Sequence, residues 1–136
     1  MPHKFFGGAG IDILHPANSM DQVAMHFKKT TGVQLRHFIL SFDPTEIRDP
    51  LLANLIATSL VDHFFEKYQV VYALHENTAN LHAHFIVNAV SYVDGSKYRG
   101  TKSDYYCLLR NLRRILKWYG FRGLRYVTAL TEDFDI

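Results

Sequence analysis

Only one cysteine, Cys107, stands in a chain of 136 residues. No internal disulfide can form, and the sequence fits a reducing compartment. With a single thiol present, any bound metal must be held by His, Asp, Glu or Asn. No segment approaches the ~18 uninterrupted apolar residues of a membrane helix. The stretch Met1 to Gly10 lacks the apolar core of a secretion signal, so the expected location is the cytoplasm. Repeats, low-complexity runs and long linkers are also missing, which predicts one domain over residues 1–136. Such a chain hides roughly two-thirds of its extended surface on folding. Tyrosine is absent from the first 67 residues, and Tyr68 is the first. Acids are scarce near the end: between Lys97 and Arg125, Asp104 alone opposes Lys97, Arg99, Lys102, Arg110, Arg113, Arg114, Lys117, Arg122 and Arg125. The net charge of +2 hides this segregation, and a basic groove on a nearly neutral protein is compatible with nucleic acid.

What is present reads as an α+β domain. Ser19 with Gln22 three residues on predicts the start of a first helix, followed by Met20, Val23, Ala24 and Phe27 at helical spacing. Asp49-Pro50 predicts the start of a second helix that ends near Lys67. Ser103 opens a third, lined by Leu108, Leu112, Ile115 and Tyr119 and closed at Gly120. Strands are expected at Leu35–Phe42, Gln69–His75, Leu81–Ser91 and, short and last, Arg122–Thr128. Asp94-Gly95 marks a hairpin turn toward Ser96-Lys97-Tyr98. Short links between neighbouring strands predict an antiparallel sheet with helices packed on one face.

The most informative stretch is Leu74 to Asn88, LHENTANLHAHFIVN. On a strand, side chains alternate faces, so His82, His84, Ile86 and Asn88 share one face. Leu81, Ala83, Phe85 and Val87 take the other and read as core. Two imidazoles at this spacing stand about 6.5–7 Å apart at Cα, close enough to converge on one ion. His75 ends the preceding strand and becomes a third ligand if the two strands pair. Glu76 and Asn77 in the connection are candidate oxygen ligands or partners that orient the imidazoles, and Asn88 downstream is a further candidate to orient them. A single strand histidine is usually a surface or hydrogen-bonded residue; the third histidine turns the balance toward a metal. Histidine-triad nucleotide hydrolases need a further histidine at the next alternate position, which here is Ile86.

The segment His75 to Asn88 resembles the third motif of the relaxase/mobilisation nuclease family, within the HUH endonuclease superfamily. Arg36-His37-Phe38-Ile39-Leu40-Ser41-Phe42 is similar to its second motif. Ser91-Tyr92-Val93-Asp94-Gly95-Ser96-Lys97-Tyr98 resembles the strand-turn segment that follows, and Trp118-Tyr119-Gly120-Phe121 the end of the last helix. The ordered set covers most of Phe5 to Val127. The resemblance implies an HUH-endonuclease core of ferredoxin- or RRM-like type. It implies metal-dependent nicking and strand transfer of single-stranded DNA at a plasmid or transposon transfer origin, with accessory mobilisation proteins as partners. It also implies a divalent metal, manganese or magnesium, on His75, His82 and His84; imidazole ligands equally suit nickel, cobalt or zinc. In the family the nucleophile is usually a tyrosine lying before the segment that Lys4-Phe5-Phe6-Gly7-Gly8 resembles, so the expectation is a domain truncated at its N-terminus. Substitute nucleophiles are Tyr105 and Tyr106, or a histidine among His3, His15 and His26. Asn77 stands where the family often has aspartate.

Single-stranded DNA is held by cations along its backbone and by aromatic stacking on its bases. The candidates are Tyr92, Lys97, Tyr98, Arg99 and Lys102, with Arg110, Arg113 and Arg114 extending them, and His37 and Ser41 on the metal side. A solvated helix face explains the arginines equally well. Two other functions remain open: a non-catalytic single-stranded DNA-binding module that retains a degenerate metal site, and an unrelated metal hydrolase on a similar sheet.

Overall fold

The computed structural model describes residues 5–76, 80–123 and 128–133. Five strands and three helices follow in the order β1 (Phe6–Ala9), α1 (Pro16–His26), β2 (Leu35–Phe42), α2 (Pro50–Phe65), β3 (Val70–Glu76), β4 (Leu81–Asn88), α3 (Lys102–Trp118) and β5 (Thr128–Asp133). The strands form one sheet in the order β1-β3-β4-β2-β5, with every pairing antiparallel. The two histidine-bearing strands therefore lie inside the sheet, supported on both sides.

The core face follows from strand parity. Phe38, Leu40 and Phe42 of β2, Tyr72 and Leu74 of β3, and Leu81, Ala83, Phe85 and Val87 of β4 are buried together. Against them pack Ile56, Leu60 and Phe64 of α2 and Leu108, Leu112 and Leu116 of α3. Phe38 and Phe85 meet Phe64 with ring centres 5.1 and 5.9 Å apart. Each such ring or Leu side chain contributes about 1.5–3 kcal/mol by leaving water, and this fixes the parity of β4.

The expected antiparallel α+β architecture is what the chain adopts, and α2 and α3 cover one face as anticipated. Helix α1 does not join them. Its Met20 carbonyl accepts a hydrogen bond from Nδ2 of Asn88, 3.2 Å away, and Asn88 has the parity of His82 and His84. The helix thus leans on one end of the histidine face. It begins at Pro16 rather than Ser19, because proline's fixed φ suits the first helical position. The Ser19 hydroxyl is taken by the loop instead, accepting from the Asp12 amide at 2.8 Å. Helix α3 starts at Lys102 behind a Thr101–Asp104 capping box, not at Ser103.

Two strand expectations are also corrected. Strand β1 was not foreseen, since Gly7 and Gly8 weaken a strand signal. The glycines serve close approach: a Cβ on Gly8 would lie 2.4 Å from the Val70 carbonyl oxygen. The last strand runs over Thr128–Asp133, beyond the expected Arg122–Thr128; residues 124–127 lie outside the described residues. The Asp94-Gly95 turn is present, with Gly95 at φ 75° and an isolated bridge between Val90 and Lys97.

Asn88 is 1% exposed and fully engaged. Nδ2 also donates to Gln69 Oε1 at 2.8 Å, and its carbonyl oxygen accepts from the Val90 amide at 3.1 Å. Asn88→Ala is expected to strand these buried groups and lower the stability by about 2–4 kcal/mol, the sum of lost hydrogen bonds and uncompensated burial. Denaturant unfolding checks this, and a shift below 0.5 kcal/mol would contradict it. Among the described residues no helix is long and apolar enough to cross a membrane.

Candidate functional site

The pairing register sets the site. His75 lies directly opposite His82, and Ser41 flanks His82 on the other side. The next row is Ala73, His84 and Ile39, and the third is Val71, Ile86 and His37. All of these share the face turned away from the apolar core. The three expected metal ligands therefore lie on two adjacent central strands and are part-buried.

The rings lie close. The His75 and His84 ring centres are 4.2 Å apart, and those of His82 and His84 6.4 Å. Imidazoles bound to one ion at about 2.0–2.1 Å have ring centres roughly 4.5–5.5 Å apart. One observed separation is shorter than that range and the other longer, so neither pair stands at the spacing of two imidazoles on one ion. As they stand, no three His, Cys, Asp or Glu side chains among the described residues are gathered around a single point. The donor chemistry fits a divalent transition ion; the preformed geometry is an approach to a site, not a closed cage.

The residue that sequence reasoning placed with DNA, His37, stands against the histidines. Its Nε2 lies 3.1 Å from Nδ1 of His84, and the rings stack with centres 5.2 Å apart. Two neutral imidazoles sharing this contact need one donor and one acceptor. If His84 presents Nε2 to an ion, its proton resides on Nδ1 and is donated to His37. The odd parity of His37 in RHFILSF was the available signal; what was missing was the register that puts it diagonal to His84. Ser41 is on the same face beside His82, and its carbonyl accepts from the Thr128 hydroxyl across the β2–β5 pair.

Other candidates are placed elsewhere. Glu76 is exposed and has the opposite parity to His75. Asn88 is four residues beyond His84 and committed to Met20 and Gln69, so its amide ties α1 to the sheet and does not orient a ligand. Asn77 lies outside the described residues. Tyr98, expected to stack on bases, is 7% exposed and packs edge-on against Phe38 and Tyr68; burial pushes its hydroxyl well above the ordinary phenol range. A base cannot reach it. Tyr92 stacks on Phe65 and donates to the Phe65 carbonyl. Lys97 donates to the carbonyls of Thr31 and Val33 at 2.9 and 2.5 Å, and burial lowers its pKa. It closes the loop before β2. Arg99 is exposed, whereas Lys102, Arg110, Arg113 and Arg114 are exposed on α3, across the sheet from the histidines.

The tyrosines bear on the nucleophile. Tyr105 donates to the Leu130 carbonyl at 2.5 Å, and Tyr106 is exposed on α3. Tyr72 donates to Asn54 at 2.6 Å from the core side. Tyr68 and Tyr119 pack against the core. None of the seven described tyrosines projects from the histidine face. His15 and His26 are exposed at the two ends of α1, and His3 lies outside the described residues. Tyr105→Phe and Tyr106→Phe, alone or together, are expected to leave DNA cleavage and any covalent protein–DNA adduct unchanged. Loss of a denaturation-resistant band in either variant would reassign the nucleophile.

A model of the relaxase MobA/VirD2-like nuclease domain matches residues 4–121. Three proteins from Staphylococcus aureus, each called Protein rlx, are similar. Two share 26% and 30% identity over 97 residues, which is 71% of this chain and 30% of theirs. The third shares 26% over 110 residues, 74% of this chain and 33% of its own. The chain thus spans about a third of the length of these curated relatives. No solved structure matches. A match over most of the chain, on a five-stranded antiparallel sheet with the histidines on its open face, makes the protein a member of the MobA/VirD2-like relaxase nuclease domain family.

Proposed function

We infer that the histidine face binds a phosphodiester of single-stranded DNA at a transfer origin and readies it for nicking. His75, His82 and His84 would hold the divalent ion, manganese or magnesium in solution. Such an ion neutralises charge on the non-bridging phosphate oxygens and orients the scissile bond. His84 presents Nε2 because its Nδ1 is turned to His37. Ser41, which pairs with His82, would donate its hydroxyl to a phosphate oxygen. In the reaction a nucleophilic oxygen bonds to phosphorus, the bond to the 3′ oxygen breaks, and a free 3′ hydroxyl leaves. The observation that carries this reading is that three part-buried imidazoles share one face of two central strands, with a fourth, His37, hydrogen-bonded to His84 on the same face.

One observation favours a second reading, a single-stranded DNA-binding module that holds the strand without cutting it: no described tyrosine stands on the histidine face. A cleavage assay separates the two. The chain is incubated with manganese and an oligonucleotide bearing a transfer origin. A cut at one position that disappears with a chelator supports nicking; binding without any cut supports the second reading. Accessory mobilisation proteins and a cytoplasmic setting belong to the same proposal.

A further inference from the structure

Helix α3 carries its own charged surface. The side chains of Leu108, Leu112 and Leu116 are fully buried against the sheet. Away from this buried side, Lys102, Arg110, Arg113, Arg114 and Lys117 are all exposed. By helical geometry they fall within an arc of about 120° and form a stripe about 22 Å long. Tyr106, 59% exposed, lies in the stripe, and Trp118, 84% exposed, on its flank. Arg114 donates to Asn111 at 2.7 Å. Among the described residues, Arg110, Arg113 and Lys117 make no ion pair. Of the neighbouring acids, Asp104 is held in the N-terminal cap by the Thr101 amide, and Glu66 lines the cavity between α2 and α3 beside Cys107. Neither answers the stripe.

We propose that this face of α3 is a docking surface for duplex DNA, separate from the histidine face and gripping the phosphate backbone. An ordinary solvated helix mixes signs at i,i+4. Here Arg110–Arg114 and Arg113–Lys117 are both like-charge i,i+4 pairs, an arrangement that works against the helix unless a polyanion neutralises it. The helix dipole accounts for Lys117 in the last turn but not for the arginines in the interior. Arginine also matches phosphate oxygens through two parallel hydrogen bonds. The surface is convex. Single-stranded DNA needs a walled groove with stacking platforms, whereas a duplex supplies the concavity itself. Arg110 and Lys117 stand about 10 Å apart along the axis, comparable to the roughly 12 Å width of a major groove. An anionic membrane fits less well, because interfacial helices insert their apolar face, and that face of α3 is buried in the core.

The surface lies across the sheet from His82 and His84, so a duplex here and a single strand there can be held at once. The proposal does not depend on the metal. Its test is fluorescence anisotropy of the full chain with three probes: a labelled duplex of arbitrary sequence, a short single-stranded oligonucleotide, and vesicles containing an anionic lipid. In Arg110→Ala/Arg113→Ala/Lys117→Ala, duplex affinity is expected to fall about tenfold or more, and the slope of log affinity against log salt to become shallower by about 3. Short single-strand binding and manganese binding stay as in the parent. Unchanged duplex affinity, an equal loss on the short single strand, or tighter binding to vesicles than to duplex would each overturn it. Failure of nicking or of metal binding in the parent would count against the histidine face and leave this result standing.

Discussion

Replacing His82 and His84 together by alanine is expected to abolish metal binding. Calorimetry of the parent with manganese or nickel should show a single site; the double variant should release no binding heat. The reason is the donor count. Three imidazoles brought onto one ion from β3 and β4 would leave open positions for phosphate and water, and removal of two would leave His75 as the last of them. A single imidazole holds a divalent ion far too weakly to register. The fold should survive, because the stabilising half of β4 is the opposite parity: Leu81, Ala83, Phe85 and Val87 are buried and untouched. A thermal melt within a few degrees of the parent separates loss of ligand from loss of structure. Binding that persists in the folded double variant would remove the metal centre from these residues.

The architecture around that site was readable because each layer leaves a periodic trace. Alternation in LHAHFIVN separates the apolar residues that pack under α2 and α3 from the histidines on the open side. The Asp49-Pro50 signal for α2 and the extent of β2 likewise survive in the structure. What alternation cannot supply is register. It places His37 on a face but not beside a particular neighbour, and the contact with His84 depends on β2 pairing with β4 so that Ile39, not His37, lies opposite His84. Strand β1 escaped for a related reason: two glycines carry no side chain to alternate, and their value lies in the closeness they allow to β3.

Polar residues were harder still, because one side chain can serve several ends. Asn88 shares parity with the histidines, yet α1 folds over that end of the face and turns it into a buried bracket between Met20 and Gln69. Lys97 and Tyr98 lie in a basic, aromatic segment, but the turn at Gly95 carries the first into a cluster of loop carbonyls and the second into the core. The arginine run is basic as expected and is carried by a helix on the far side of the sheet. Composition announced the charge; only the packing of α3 says which way it faces.

His37→Ala is expected to weaken metal binding by about 10–100-fold, the usual loss when an outer partner of a ligating histidine is removed. The argument is one of tautomers. If His84 coordinates through Nε2, its proton sits on Nδ1, and His37 Nε2, 3.1 Å from that nitrogen, is then the acceptor. Without that acceptor the His84 ring loses its fixed orientation, and the tautomer that blocks coordination becomes competitive. His37→Gln tests the mechanism more closely than alanine, since a glutamine carbonyl can accept the same proton; it should recover a substantial part of the lost affinity. His37→Phe keeps a ring on the face, accepts nothing, and should behave like alanine. Manganese titration of the three variants, with melting temperatures in parallel, reads these outcomes directly. Were all three to bind as the parent does, His37 would have no part in positioning His84. Were glutamine no better than phenylalanine, the contact would be one of packing and not of proton donation.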